Sequence, residues 1–167
     1  MLVRLADGTR VVIRAIRADD KSLLERGLAR LSPESSRRRF LVVKSHFTKR
    51  ELSYLTEVDG ERHVAFVAVF AEHPQTLAGV GRFVRLAEDP SVADVAVVVA
   101  DELQHLGLGT RLGLLLADRA RALGVQRFSA TMLSDNLAAH RLFAKISRRL
   151  HGTRSGEVDE LLAELAA

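Results

Sequence analysis

The chain has no cysteine and no tryptophan, and its 167 residues include only one tyrosine and three prolines. Without cysteine, disulfides and thiolate chemistry are excluded, and a cytoplasmic location is the default expectation. Aromatic residues make up 5% of the chain, so base-stacking platforms for nucleic acid are not evident. No apolar run approaches the roughly 18–20 residues that span a bilayer, and the N-terminus does not resemble a signal peptide. We therefore expect no membrane segment.

Hydrophobic residues form 47% of the sequence, which is ordinary for a globular protein, and its length is that of one domain. We expect a single domain over residues 1–167. The net charge is +4, and the basic residues include the run Arg37–Arg39. This run is interpreted first as a solvated basic turn and second as a site for phosphate or an acidic partner.

The stretch from Gln104 to Thr110, QHLGLGT, is the most informative part of the sequence. It follows an unbroken apolar run, Val95–Ala100, and opens a segment with the periodicity of an amphipathic helix. Glycine lets the backbone approach an anion closely, and the free N–H groups of a first helical turn point towards it. The pattern therefore predicts a phosphate site made by the backbone.

Two common phosphate loops do not fit this stretch. A dinucleotide fingerprint needs a third glycine where the chain has Leu112, and a P-loop needs a lysine where it has Thr110.

Periodicity and turn residues predict the order of elements along the chain. We expect a hairpin over residues 3–14, a helix from Asp19 or Asp20 to Leu31, a break over residues 32–36 and a helix from Thr48 to about Val58. Strands follow at 63–71, 76–86 and 92–100, then a helix from 107 to 124, a strand at 127–133 and a helix from 134 to 146. Two short strands, about 147–152 and 157–165, fit the end, although the last could be a helix.

Together with Asn136–Ala139, an Asn-x-x-Ala before an apolar pair, the Gln104–Thr110 stretch resembles the GNAT superfamily of acyl-CoA-dependent N-acyltransferases. Within it, the stretches Asp89–Ala96 and Met132–Asn136 are similar to bacterial protein lysine acetyltransferases of the Pat type. The resemblance covers essentially the whole chain. It implies an α/β fold with a mixed, mostly antiparallel twisted sheet of six to seven strands and about four helices.

The resemblance also implies acetyl-CoA, or a related short acyl-CoA, as the donor, and no metal. Its pyrophosphate would lie on the backbone amides of His105, Leu106, Gly107, Leu108, Gly109 and Thr110, after Gln104. Its pantetheine arm would pair with the backbone of Val97, Val98 and Val99, and Asn136 would meet the far side of the arm. The implied acceptor is a primary amine, with specificity in residues 31–50.

A base must take a proton from the amine, and Asp94 is the candidate. A carboxylate among valines is costly to bury without a purpose, and Pat-type sequences have a glutamate at this point. The other interpretation is a solvent-facing strand position. Reserve bases are Glu57, Asp59 and Glu61, and His63 and His105 are possible proton shuttles. Where many GNAT enzymes carry a tyrosine acid, the chain has Phe143, and its only tyrosine, Tyr54, lies in an early helix.

The leading hypothesis is therefore acetyl transfer from acetyl-CoA to a protein lysine or, second, to a small amine. A non-catalytic domain that binds acyl-CoA and reports on it to a partner is the alternative suggested by the aspartate at 94 and by Phe143. Nucleic-acid binding through Arg37–Arg39 is the least favoured hypothesis, and the sequence does not set the oligomeric state.

Overall fold

The computed structural model describes residues 1–166, which form eight strands and five α-helices. The strands are β1 Leu2–Arg4, β2 Arg10–Ala15, β3 His63–Phe70, β4 Leu77–Arg85, β5 Val92–Val99, β6 Arg127–Leu133, β7 Ser147–Ser155 and β8 Val158–Leu165. The helices are α1 Lys21–Arg30, α2 Pro33–Phe40, α3 Lys49–Thr56, α4 Leu108–Ala122 and α5 Leu137–Ile146. Single 3-10 turns at Ala18–Asp20 and Asp101–Leu103 precede α1 and α4. Within residues 1–166, none of the helices combines the length and apolar character needed to cross a membrane.

The strands form one mixed sheet in the order β1-β2-β3-β4-β5-β6-β8-β7. All neighbours are antiparallel except β5 and β6, which pair in parallel over only three positions: Val92 with Arg127, Ala93 with Phe128 and Asp94 with Ser129. Beyond Asp94, β5 stays with β4 and β6 stays with β8. The two strands therefore separate and leave a V-shaped opening in the middle of the sheet.

Helices cover both faces of this sheet. Helices α4 and α5 pack on one face, over a core that includes the fully buried Phe83, Leu116 and Phe128. Gly81 lies under α4, where an added Cβ would come within 2.9 Å of Leu116 Cδ1, so glycine lets this helix approach the sheet closely. Helices α1 and α3 cover the other face over a core that includes Val67.

The order of elements is as predicted except for the additional helix α2, so there are five helices where about four were expected, and the sheet has eight strands where six to seven were expected. The final segment is a strand, β8, and β7 extends beyond the expected end at residue 152. The capping box at the start of α3 is present, since Thr48 Oγ1 accepts from Glu51 N at 3.2 Å and Glu51 Oε2 accepts from Thr48 N at 2.7 Å.

The predicted break after the first helix is confirmed, since α1 ends at Arg30, but the helix α2 that begins at Pro33 was not expected. Ser32 caps it by accepting a hydrogen bond from Ser35 N at 3.1 Å, and Pro33 occupies the first turn. Proline is compatible with that turn because its missing N–H would have no partner within the helix. The Ser-Pro pair therefore follows the end of one helix and marks the start of the next.

Substitution of Asp20 tests the contact that fixes the start of α1. Asp20 is buried and accepts two hydrogen bonds from the Arg14 guanidinium at 2.7 Å each and one from Arg17 N at 2.8 Å. We expect Asp20→Ala to lower the free energy of unfolding by about 2–3 kcal/mol, because it leaves the half-buried Arg14 without its partner. Urea denaturation at pH 7 measures this change.

The exposed pair of Arg10 and Glu72 provides the matched control. Glu72→Ala also removes one arginine–carboxylate pair, but both groups are in water, so we expect a much smaller loss of stability than for Asp20→Ala. Equal losses for the two variants would contradict the role assigned to Asp20.

Candidate functional site

A cleft of ≈ 440 Å³ occupies the opening between β5 and β6. Its walls are Val95–Val99 on one side and Ala130–Met132 on the other, and the loop before α4 and the start of α5 complete it. The cleft exists because the parallel pairing stops at Asp94 and Ser129. This opening is the one place in the middle of the sheet where a backbone edge is exposed to a ligand.

The backbone of β5 is directed alternately towards its two neighbours. Ala100 N donates to Ala78 O on the β4 side at 2.9 Å, and Val92 O accepts from Leu86 N on the same side. The even-numbered residues of β5 therefore direct their N–H and C=O groups towards β4. Val97 and Val99 direct theirs to the other side, into the cleft. The expectation for Val98 is wrong in this respect, because its backbone groups are directed to Val80 of β4.

The loop from His105 to Thr110 presents six consecutive backbone N–H groups. Within residues 1–166 none of them donates a hydrogen bond to the protein, whereas Arg111 N donates to Gly107 O at 3.1 Å. His105 and Gly107 have φ of 65° and 93°, and these left-handed residues turn the chain into α4. Free amides in such a turn, followed by the N-terminus of a 15-residue helix, form an anion-binding concavity.

The side chains of this loop hold it in place and leave ligand contact to the backbone. Leu108 is fully buried in the core and Leu106 packs against the same cluster. Gln104 Nε2 donates to Ser35 Oγ at 2.9 Å and to Val99 O at 3.3 Å. The Gln104 side chain thus ties the loop to α2 and β5.

Asn136 lies at the opposite wall, at the start of α5. Its Oδ1 accepts from Ala139 N at 3.2 Å, so it caps the helix and leaves its Nδ2 donor for a ligand in the cleft.

The charged side chains that line the cleft are cationic: Arg38 and Arg39 from α2, and Arg141 and Lys145 from α5. No carboxylate lines the cleft within residues 1–166. Arg141 and Lys145 were not predicted as site residues, although a 3.6-residue period places them on one face of α5. For Arg37–Arg39 two interpretations were stated, a solvated turn and an anion site, and helix α2 brings Arg38 and Arg39 into the cleft. The lining favours a ligand with several negative charges.

Asp94 lies where the pairing of β5 with β6 ends, between Val84 and Ser129 in the sheet. Its side chain projects to the face covered by α1–α3, and solvent reaches it. Partial desolvation nevertheless raises the pKa of the Asp94 carboxyl above its ordinary value, while the charge of Arg39 and the hydroxyl of Ser129 oppose the rise. A carboxylate with a raised pKa beside an open cleft can accept a proton from a bound group.

Two of the reserve bases are engaged in structural contacts. Glu57 accepts from Lys21 Nζ at 2.6 Å, and this hydrogen bond lowers the pKa of its carboxyl. Asp59 Oδ1 accepts from the backbone N–H groups of residues 61–63, which lower the pKa of Asp59. Glu61 is exposed in the same turn.

His63 is buried and does not serve as a shuttle in this arrangement. Its Nε2 lies 3.1 Å from Arg82 Nη1, so the histidine accepts this hydrogen bond and is neutral. Burial, together with the charge of Arg82, lowers the pKa of His63 to about 4. The single tyrosine, Tyr54, packs against its ring with centroids 4.9 Å apart, and Phe143 is buried in the core without a hydroxyl.

Asp101 connects α2 to the end of β5. Its carboxylate accepts from Ser32 N at 3.0 Å, from Ser32 Oγ at 2.6 Å and from Ser35 Oγ at 2.7 Å. Because Ser35 Oγ also accepts a hydrogen bond from Gln104, one network fixes both the His105–Thr110 loop and helix α2, which carries Arg38 and Arg39.

Comparison with known proteins adds to this geometry. The family model described as "Acetyltransferase (GNAT) family" matches residues 29–147. A curated relative, the acetyltransferase Pat of Mycolicibacterium smegmatis, is 32% identical over 144 residues, which are 86% of this chain and 43% of the relative. The chain thus spans less than half the length of that relative.

Solved structures are similar over the whole chain. The GNAT domain of S. lividans PAT superposes with a TM-score of 0.86 and 25% identity, covering 99% of this chain and 96% of that one. An acetyltransferase from Salmonella typhimurium, solved with its cofactor acetyl-CoA, shares the fold with a TM-score of 0.67 and 18% identity, over 93% and 92% of the two chains.

Removal of the Asp101 carboxylate tests the network that positions α2. We expect Asp101→Ala to speed hydrogen exchange of the α2 amides and to lower the free energy of unfolding by about 1–2 kcal/mol, because the support of the Ser32 cap is lost. Amide exchange followed by mass spectrometry measures the local effect. Glu102→Ala is the control, since its exposed ion pair with Arg30 lies next in sequence but outside the network. Unchanged exchange in α2 would contradict the assignment.

Proposed function

This chain belongs to the GNAT acetyltransferase family, and on that premise we propose that it transfers an acetyl group from acetyl-CoA to a primary amine, with a protein lysine as the acceptor. The observation that carries the proposal is the run of six free backbone amides at residues 105–110, beside a cleft lined by cations. The relative Pat, which shares 32% identity with the chain, supports acetyl transfer. The choice of a protein lysine rests on the resemblance of Asp89–Ala96 and Met132–Asn136 to Pat-type sequences.

The residues of the cleft fit the chemical parts of acetyl-CoA. The pyrophosphate would accept hydrogen bonds from the free amides of the loop, and Arg38, Arg141 and Lys145 would neutralise the remaining phosphate charge. The amide groups of the pantetheine arm would pair with the backbone of Val97 and Val99, as an added strand would. The thioester would then lie near the narrow end of the opening, beside Asp94.

The reaction needs a neutral amine, whose reference pKa as a lysine is near 10.4. As the nitrogen attacks the thioester carbonyl, its proton passes to the Asp94 carboxylate, directly or through a water. The N–H of Val97 faces the cleft and can donate to the oxyanion that forms on the carbonyl oxygen. The carbon–sulfur bond then breaks, and the leaving thiolate takes up a proton from Asp94 or from solvent, since a thiol has a pKa near 8.5.

A sensor that binds acyl-CoA without turnover is the second candidate function. It is favoured by one observation, the core position of Phe143, which provides no hydroxyl to protonate the leaving thiolate. Free thiol produced from acetyl-CoA with lysine-containing proteins separates the two functions.

Substitution of Gly109 tests the pyrophosphate site. Gly109 has ordinary helical φ, and an added Cβ would meet only Val99 Cγ2 at 3.6 Å. We expect Gly109→Leu to fold normally, because leucine is a good helix former, but to fill the space over the free amides. Acetyl-CoA should raise the melting temperature of the original protein by mass action and raise that of the variant far less.

Ala122→Leu is the control for this experiment, because it makes a similar change at an exposed position near the other end of α4. It should keep the full acetyl-CoA-dependent rise. A Gly109→Leu protein that is stabilised as much as the control would place the ligand elsewhere.

Substitution of Asp94 tests the base. We expect Asp94→Asn to retain the thermal stabilisation by acetyl-CoA and to lower kcat by about 10²–10⁴-fold, because the amide cannot accept the proton. Asp94→Glu should retain turnover, since the longer carboxylate can still reach the amine. Release of free thiol measures both rates.

The pH profile adds a second measurement on the same variants. Below the raised pKa of Asp94 the slope of log kcat/KM against pH should be about 2, because Asp94 and the amine must both lose a proton; above it the slope should be about 1. Asp94→Asn should show a slope of about 1 throughout. If Asp94→Asn shows the same change from a slope of about 2 to a slope of about 1, the base is another group.

A further inference from the structure

Two arginines on the α1–α3 face of the sheet lack a carboxylate partner. Arg82 of β4 is 6% exposed, and its Nη1 donates to Leu55 O at 3.0 Å and to the neutral His63. Arg39 of α2 is partly buried, and within residues 1–166 it makes no hydrogen bond or ion pair; its guanidinium lies over the ring of Phe40, 4.8 Å from the centroid. A buried arginine normally has an anionic partner, because an unpaired charge is costly to bury.

Both arginines line one small cavity of ≈ 60 Å³ between α1, α3 and the β4–β5 part of the sheet. The rest of that cavity is mostly apolar and includes Leu24, Phe47 and Val98. Arg39 also lines the large cleft, so its side chain stands where the cavity adjoins the cleft.

The charges around this point do not balance. Burial, together with the charge of Arg39, lowers the pKa of Arg82 to about 10. An arginine side chain stays protonated at neutral pH, so both groups are cationic. The one carboxylate that acts on Arg39 is Asp94, and the proton-transfer role proposed above removes its charge during the reaction. The two guanidinium charges are therefore balanced by one carboxylate charge before proton transfer and by none after it.

We propose that the guanidinium groups of Arg39 and Arg82 form a carboxylate-binding site in the small cavity, which adjoins the cleft at Arg39, so that the substrates include one that carries a carboxylate a few carbon atoms from the reacting centre. The inference rests on the acetyl transfer proposed above. Planar guanidinium forks match a carboxylate in charge and in hydrogen-bond geometry.

The position of the pair relative to Asp94 sets the distance between the reacting amine and the carboxylate. Val84 lies opposite Asp94 in the β4–β5 ladder, and Arg82 is two residues from it, opposite Ala96. Such diagonal neighbours on one sheet face have Cα atoms about 7–8 Å apart. An amino acid whose amine reaches Asp94 can thus place its carboxylate on the arginines, and the distal carboxylate of a dicarboxylic acyl group can do the same from the thioester side.

The test uses acceptors that differ by one charge: ε-aminocaproate against ε-aminocaproamide, and γ-aminobutyrate against its amide. With acetyl-CoA as donor, Arg39→Gln should lower kcat/KM for the acid by about ten- to a hundredfold, because a charge-assisted hydrogen bond is lost, and lower it for the amide by only a few-fold. Arg39→Lys should restore part of the preference. Arg37→Gln, which removes the same charge from the exposed side of α2, should leave the ratio of acid to amide unchanged.

A second arm identifies the source of the carboxylate. With the neutral amide acceptor, succinyl-CoA is compared with acetyl-CoA. A preference for succinyl-CoA that Arg39→Gln removes assigns the site to the acyl group, and a preference for the acid acceptor assigns it to the amine substrate. If the variant lowers kcat/KM by the same factor for acetyl-CoA with the acid, acetyl-CoA with the amide and succinyl-CoA with the amide, Arg39 acts only on Asp94 and the carboxylate site is disproved.

Binding alone separates failure of this proposal from failure of the proposed transfer. N-acetyl-ε-aminocaproate and its amide are added to the protein saturated with coenzyme A, and the melting temperature is measured. If no acceptor releases thiol but the acid alone raises the melting temperature, and Arg39→Gln abolishes that rise, the carboxylate site stands without the transferase. Equal effects of acid and amide, with normal turnover and no preference for succinyl-CoA, leave the transferase and overturn the carboxylate site.

Discussion

The early end of hydrogen bonding between β5 and β6 is the constraint on which the rest of this structure depends. Three parallel pairs hold the strands together, and each strand then remains with its antiparallel neighbour. A sheet whose middle strands separate has to leave backbone groups without partners, and unpaired groups away from water are costly. A ligand that supplies those partners would therefore bind in the middle of the fold and not on its surface, and Asp94 lies where the opening begins.

The electrostatics follow the same geometry. Free amides and the N-terminus of α4 occupy the wide end of the opening, and the arginines and lysine of α2 and α5 surround it. The Asp94 carboxylate lies beside the narrow end, and the charge of Arg39 acts on it. A polyanionic ligand would thus be held by one end while its other end reaches the group proposed to accept a proton. The hydrogen bonds of Asp101 and Gln104 connect the two ends, because they fix α2 against the loop.

Local sequence patterns were sufficient to predict the His105–Thr110 loop and most of the helices and strands. Glycines after a valine run, followed by helical periodicity, predicted the free amides before α4, because that chemistry depends on neighbours in sequence. The same patterns were wrong at Val98, since an unbroken apolar strand does not reveal which residues direct their backbone to which neighbour. They also missed α2, where Pro33 was interpreted as a breaker although it occupies the first turn of a helix.

The sequence by itself determined the strand, the glycine turn and the helix start that make an anion site, and it identified Asp94 as a carboxylate of unusual setting. Only the tertiary structure decided what surrounds that carboxylate. Arg39 and Arg82 are 43 positions apart along the chain, and nothing in their local sequence places both beside one cavity. Contacts between segments that are distant in sequence arise from how the helices pack on the sheet. For that reason the environment of His63, neutral beside Arg82, could be known only once the fold was in hand.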